Sequence, residues 1–491
     1  MSSFSTDDYR RTATALLALG AALALLLAIP LARADLVAPS AERSQPLESV
    51  VEPLVRDALE ANLELAVAGA SVDQRRAALD VARAHYLPAL DLSARYSRAD
   101  GGRVIDFPVG DLLNPVYATL NQLTGQTAFP SVQNQRIRLL RSPEQETKFT
   151  LTQPLYDGRL GPARDAAAAQ LGAETARHEA LEGRIARDMR TAYYRWLQSR
   201  EQVAILDATL ALGRENQRVN ASLYKNGKIT RDLVYRAEAD VLEVEQSRLG
   251  AIHARAIAQS YVNLLRNAPF DRELVVGEVP NDELAIPQSP GTGGLDALAE
   301  RAIGGRAELK VIDAARAAAS ASERLAHAAF RPQLAFALDA GTQGGQYRFG
   351  ADDRYVLASV VLKFNLYSGG ADAAGLAGAR AAGRSLDAQR ALEAQRIRLE
   401  VQQGLQNLDL SRASVTTAMK RVEAAAGGFR IAQKKRDLGQ INQAEFIDAR
   451  RVLTDAQLNL NVTRFETLRS LAELDYALGS GTHHWTFGTL P

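Results

Sequence analysis

Apolar and polar positions along this chain follow two rhythms. From Tyr86 to Arg98 they alternate, with Leu90, Leu92, Ala94 and Tyr96 on one face and Asp91, Ser93, Arg95 and Ser97 on the other. Phe149 and Leu151 alternate with Lys148, Thr150 and Thr152; Leu334, Phe336 and Leu338 with Gln333 and Asp339. Val356, Ala358, Val360, Leu362 and Phe364 oppose Ser359, Lys363 and Asn365. Period two predicts strands with one apolar and one wet face, here over 86–98, 147–156, 332–340 and 354–367.

The rhythm then changes to three-four spacing without a loop. Ile185, Met189, Ala192, Trp196, Val203, Leu206 and Leu210 form one seam. Ile397, Val401, Leu405 and Leu408 form a second, and Val415, Met419, Val422 and Ala426 a third. Such seams are coiled-coil-like. From Gly158 to about Asn220 the sole proline is Pro162, in a first turn that tolerates it, so a helix on the order of 90 Å long is expected. Gly227 and Gly439 mark reversals between antiparallel helices, where a left-handed residue suits glycine. The predicted helical hairpins are 158–268 and 370–478. Pro154 and Gly158 at one strand–helix junction, and Gly369 and Gly370 at the other, permit the bend.

The order of elements is written twice. Glu64, Leu65, Pro88 and Leu90 match Glu308, Leu309, Pro332 and Leu334 at a constant offset of about 244 positions. Leu155-Tyr156 matches Leu366-Tyr367, and Gly227-Lys228-Ile229 matches Gly439-Gln440-Ile441, at offsets of about 211 to 212. The difference locates an insertion in the first copy, within a loop over 99–146. The division expected is therefore 35–270 and 295–478, with a Pro- and Gly-rich linker at 271–294 and a tail at 479–491.

Arg10, Arg11, the apolar run Ala15 to Ile29 and Ala32-Arg33-Ala34 read as a secretory signal over 1–34. That run is short for a spanning helix. The formal net charge of +1 gives no case for nucleic acid. There is no cysteine, which excludes disulfides, thiolate metal sites and a lipid-modified N-terminal cysteine. The six histidines are scattered, and His483-His484 lie in the tail. No nucleophile–base set, phosphate loop or carboxylate dyad appears, so no enzyme, cofactor or metal site is expected.

An exported chain with four amphipathic strands, each pair flanked by helices, fits a lipid-facing barrel wall. Four strands cannot close a barrel, and open edges in hydrocarbon cost several kcal/mol per bare backbone group. Copies of the chain must complete it.

"YLPALDL" and "FRPQLAF", "TQPLYDG" and "FNLYSGG", and the turns "YKNGKITRDLVYRA" and "RDLGQINQAEFIDA" together resemble the TolC-type outer-membrane efflux and secretion channels. The resemblance implies a mostly α chain with a membrane β-barrel, four strands per protomer, continued by a coiled-coil tunnel. It implies a homotrimer in the outer membrane of a Gram-negative bacterium, reaching into the periplasm. The partners implied are a periplasmic adaptor, an inner-membrane transporter and outer-membrane lipid. Glu445 and Asp448 occupy the positions of the family's acidic constriction. Three copies on a threefold axis would make carboxylate rings that attract cations. Ile441 stands where a basic latch residue is found in the best-known members; Asp232 pairing with Arg436, with Arg231 nearby, is the latch expected instead. The turns around Gly227 and Gly439, including Tyr224 and Leu438, would meet the adaptor. The rival reading is an exported periplasmic coiled-coil adaptor or structural protein, which would surround one hairpin with compact β domains.

Overall fold

The computed structural model describes residues 45–139, 143–279, 294–346 and 350–479. The expected signal segment, most of the 271–294 linker and nearly all of the tail lie outside the described residues. A short strand β1 (Gln45–Pro46) leads into α1 (Leu47–Ala61) and α2 (Leu63–Ala84). Asn62 separates these helices and caps the second, its side-chain oxygen accepting from Glu64 N and Leu65 N. Then come β2 (Ala89–Ser97), β3 (Val104–Phe107), α3 (Val109–Thr124), β4 (Gln135–Arg138) and β5 (Glu144–Asp157). The first long hairpin is α4 (Leu160–Lys225) with α5 (Arg231–Leu265). After β6 (Gly277–Glu278) follow α6 (Leu295–Gly305), α7 (Ala307–Ala328), β7 (Gln333–Gly344) and β8 (Arg354–Lys363). The second long hairpin is α8 (Ala371–Asp437) with α9 (Gln443–Ala477). At 66 and 67 residues, α4 and α8 each run about 100 Å.

Strands β2, β5, β7 and β8 form one antiparallel sheet in that order. The strand bounds differ from those the alternation suggests. β5 starts earlier and β7 ends later because Gln145 pairs with Gly344. β8 stops at Lys363, before the turn into α8. Register places Leu90 beside Leu151, Leu151 beside Leu338 and Leu338 beside Ala358, which fixes one apolar face. That face is bare: Leu92 is 63% exposed, Val356 74% and Leu362 66%. The opposite face is bonded. Thr150 donates to Asp339 Oδ1 at 2.5 Å, Tyr355 donates to Glu146 at 2.9 Å, and Lys148 reaches Asp339 at 3.4 Å. β2 and β8 are edges, with no second strand partner among the described residues.

The helices keep the strand order. α2 packs on α4, α4 on α7 and α7 on α8, so the helix joined to each strand lies beside the helix joined to the neighbouring strand. Beyond this level α5, α4, α9 and α8 form the wall. A sheet edge and a helix edge are thus left open on each side.

The two junctions bend by different means. In β5 the register with β7 shifts between Pro154 and Tyr156, a bulge at the residue that lacks a donor. Gly158 has ordinary φ, but a Cβ there would lie 3.1 Å from Arg331 Cδ, so its role is close approach to the end of α7. Gly369 and Gly370 have φ of +67° and +87°, a left-handed pair before α8. Asn365 donates to Asp372 at 2.7 Å across that turn, and Ser368 also bonds the Asp372 carboxylate.

The core lies midway along the helices. Ile185, Met189, Tyr193 and Trp196 of α4 pack with Val51 of α1, Val262 of α5, and Phe465 and Leu468 of α9. Ile397, Val401, Leu405 and Leu408 pack with Leu309, Leu471 and Leu474. A third cluster, Val203, Leu206, Leu210, Val241 and Val244, holds α4 to α5. The expected Val415–Met419–Val422–Ala426 seam is not the buried one. Ser411, Ala418, Ala425 and Phe429 are buried instead, seven or four apart, and Met419 is 45% exposed. The small side chains of Ser411, Ala418 and Ala425 let α8 approach α9 closely, and Met419 points away from that contact.

Candidate functional site

Both helical hairpins end in the same turn. Gly227 (φ +67°) donates to Tyr224 O at 2.9 Å and Lys228 to Leu223 O at 2.9 Å. Gly439 (φ +68°) donates to Arg436 O at 2.9 Å and Gln440 to Lys435 O at 2.8 Å. These are glycine-terminated helix caps that satisfy the last carbonyls. Tyr224 and Leu438 beside them are 43% and 71% exposed.

Beyond the second turn, Asn442 opens α9. Its Oδ1 accepts from Glu445 N at 2.9 Å while its Nδ2 donates to Glu445 Oε1 at 2.8 Å. Glu445 therefore takes part in a helix cap besides carrying an exposed charge. Asp448, one turn on, is exposed and lines a groove of about 440 Å³ between α5 and α9 with Arg236, Asp240, Glu243 and Arg451. Among the described residues no cation is within ion-pairing distance of Asp448 in the single chain.

The latch candidates are placed apart. Arg436 stacks on Phe446, 4.2 Å from the ring centroid, and Arg231 lies over Tyr235 at 5.3 Å. Asp232 is exposed in the first turn of α5, where the helix dipole favours it. No ion pair joins Asp232 to Arg436 within one chain among the described residues.

A different pair joins the hairpins. Arg450 of α9 donates to Asp240 of α5 at 2.5 Å, with side chains only 3% and 5% exposed. Arg451 bonds Glu243, and Thr209 and Thr454 share a hydroxyl contact at 3.2 Å. Burial pushes the Asp240 carboxyl above its ordinary value and the Arg450 guanidinium below its own; their mutual attraction opposes both shifts. Nearby, the buried side chains of Asn216 and Asn220 have amide atoms without a protein partner. The seam between hairpins is thus apolar at Leu206 and polar towards the tips. This cluster was missed because its residues read as ordinary helix charges. The available signal was register, since Asp240 shares a face with Ala237, Val241 and Val244.

Residues 54–266 and 298–480 match the outer membrane efflux protein family. The chain belongs to that family. Its members are non-enzymatic transport ducts of the outer membrane, which sets aside the reading as a periplasmic adaptor or structural protein. Among curated proteins none matches the sequence. Solved structures agree with the fold. A membrane protein from Pseudomonas aeruginosa is 19% identical with a TM-score of 0.72, covering 89% of this chain and 94% of that one. The CmeC outer membrane channel of Campylobacter jejuni is 15% identical at 0.72, covering 93% and 94%. The open-state MtrE outer membrane channel of Neisseria gonorrhoeae is 18% identical at 0.69, covering 88% and 89%. No helix among the described residues is long and apolar enough to cross a membrane.

Proposed function

We propose that three copies of this efflux-family chain close into one outer-membrane duct, with the four-stranded sheets forming a single barrel and the helical walls a tunnel below it. The observation that carries this reading is the sheet itself. It has a bare apolar face, a hydrogen-bonded polar face and two open edges, and each strand runs into a helix with the same neighbours. Closing by copies satisfies the edges and turns the apolar face to lipid. The duplicated order of elements supplies staves of matching length, 35 residues in both α5 and α9.

In this reading the duct is passive and takes what an inner-membrane transporter and a periplasmic adaptor deliver, in efflux or in type I secretion. The glycine turns at Gly227 and Gly439, with Tyr224 and Leu438, form the end that meets the adaptor. Asp448, and Glu445 beside it, face the axis as carboxylate rings. Asp232 and Arg436 then pair between neighbouring protomers, where the single chain leaves them apart.

Planar-bilayer conductance tests the gate. Asp448→Ala combined with Glu445→Gln, which keeps the amide-compatible cap, weakens cation preference and block by divalent cations. Unchanged ion preference in the double variant overturns the constriction assignment.

A further inference from the structure

The insertion between β2 and β5 is a built module. Asn114 donates to Val132 O at 3.0 Å and accepts from Val132 N at 2.8 Å. One face further along, Asn121 does the same with Phe129, at 2.9 and 3.0 Å. Two asparagines seven apart thus clamp the returning segment to α3, as a strand would. Tyr117 packs on Phe129 with ring centroids 5.5 Å apart. A Cβ at Gly110 would lie 2.4 Å from Val132 O, so the approach requires glycine.

That closure leaves apolar surface outside. Leu112, Val116 and Leu123 recur at helical spacing on α3 and are 69%, 52% and 78% exposed. In the β3–β4 ribbon Ile105 pairs with Ile137 and Phe107 with Gln135, so both isoleucines and Phe107 share one exposed face. The other face carries Val104, Asp106, Arg136 and Arg138, of which Arg136 is paired with Asp106 at 2.8 Å. Arg98, Arg103 and Arg138 have no carboxylate within ion-pairing distance among the described residues.

We propose that this module lies on the outer leaflet and binds anionic lipid, its apolar residues among acyl chains and its arginines at headgroup phosphates. The inference rests on the barrel reading above. Three observations favour lipid over a second copy. The ribbon puts Ile105, Phe107 and Ile137 on one side and Arg136 and Arg138 on the other, an amphipathic pattern suited to an interface. Its unpaired arginines would repel their counterparts on another copy. It begins within about 25 Å of the end of β2, whose apolar face, ending in the 63%-exposed Tyr96, is the lipid-facing band.

The natural absence of cysteine makes the test direct. Phe107→Cys, Ile137→Cys and Leu123→Cys each receive one spin label, with Leu92→Cys as the barrel reference. Accessibility to oxygen and to a water-soluble nickel chelate is read in liposomes with and without lipopolysaccharide. Labels at 107, 137 and 123 become oxygen-accessible and nickel-protected with lipopolysaccharide, as the label at 92 is in both liposomes. Adding Arg103→Gln and Arg138→Gln lowers the lipid-seated population about fivefold per charge removed. Water-like readings at all three module positions beside a lipid-like position 92 overturn the proposal. So does dipolar broadening between labels at 123, which would identify a neighbouring copy as the occupant. A water-like position 92 overturns the barrel reading and this inference with it.

Discussion

Arg450 and Asp240 lie 2.5 Å apart on helices from different hairpins, and water reaches almost none of either side chain. A buried pair of this kind is costly to break on one side, because the survivor is a bare charge in a poor solvent. Asp240→Ala is expected to destabilise the tip region by about 3–5 kcal/mol. Asp240→Leu with Arg450→Met recovers most of that loss. Denaturant unfolding of the detergent-solubilised protein, followed by helix signal, checks both. Equal losses in the single and double variants would mean the pair is not what joins the hairpins.

The Asn442–Glu445 cap makes a separable prediction. Asn442→Ala costs about 1 kcal/mol of local helix stability and raises amide exchange over 443–446. Glu445→Gln removes charge with little effect on exchange. If both variants exchange alike, the cap assignment is wrong.

At the turns, Gly439→Ala places a side chain at φ +68° and is expected to cost about 1–2 kcal/mol. Gly427→Ala, at ordinary φ with open space around it, stabilises α8 by about 0.5–1 kcal/mol. Thermal melting of the two variants should move in opposite directions.

Much of this architecture was legible in the residues. Alternation at Leu90–Tyr96 found the sheet, three-four spacing at Ile185–Leu210 found a true seam, and both glycine turns fell where helices reverse. The seam at Val415–Ala426 misled, because size suggested burial where close packing selected Ala418 and Ala425. The clamps of Asn114 and Asn121 could not be read, since their partners lie up to 18 residues away along an irregular segment. The Asn442-x-x-Glu445 cap, by contrast, is a local pattern open to reading. Asp240 and Arg450 were hidden by 210 residues of separation.

Acid provides a test of the helical midsection. Arg306 holds Glu308 through two bonds of 2.9 and 3.0 Å and reaches Glu400 at 3.0 Å, while Tyr476 donates to Glu308 at 2.9 Å. Burial alone would raise the Glu308 pKa, but Arg306 and Tyr476 outweigh it and hold the carboxyl below its ordinary 4.5. A depressed carboxylate contributes stability that is present above 4.5 and lost as pH falls through the lowered folded value. Wild-type protein should therefore lose stability as pH falls from about 4.5 through that lowered value, and Glu308→Gln should show a shallower loss. Parallel pH profiles would contradict this role for Glu308.

The central claim is that one chain owns too few strands to close a pore. Mass measurement of the detergent-extracted particle, with detergent removed in the gas phase, tests it most directly. Three chains per particle is the predicted result. A stable single chain that stays dispersed without detergent would contradict it.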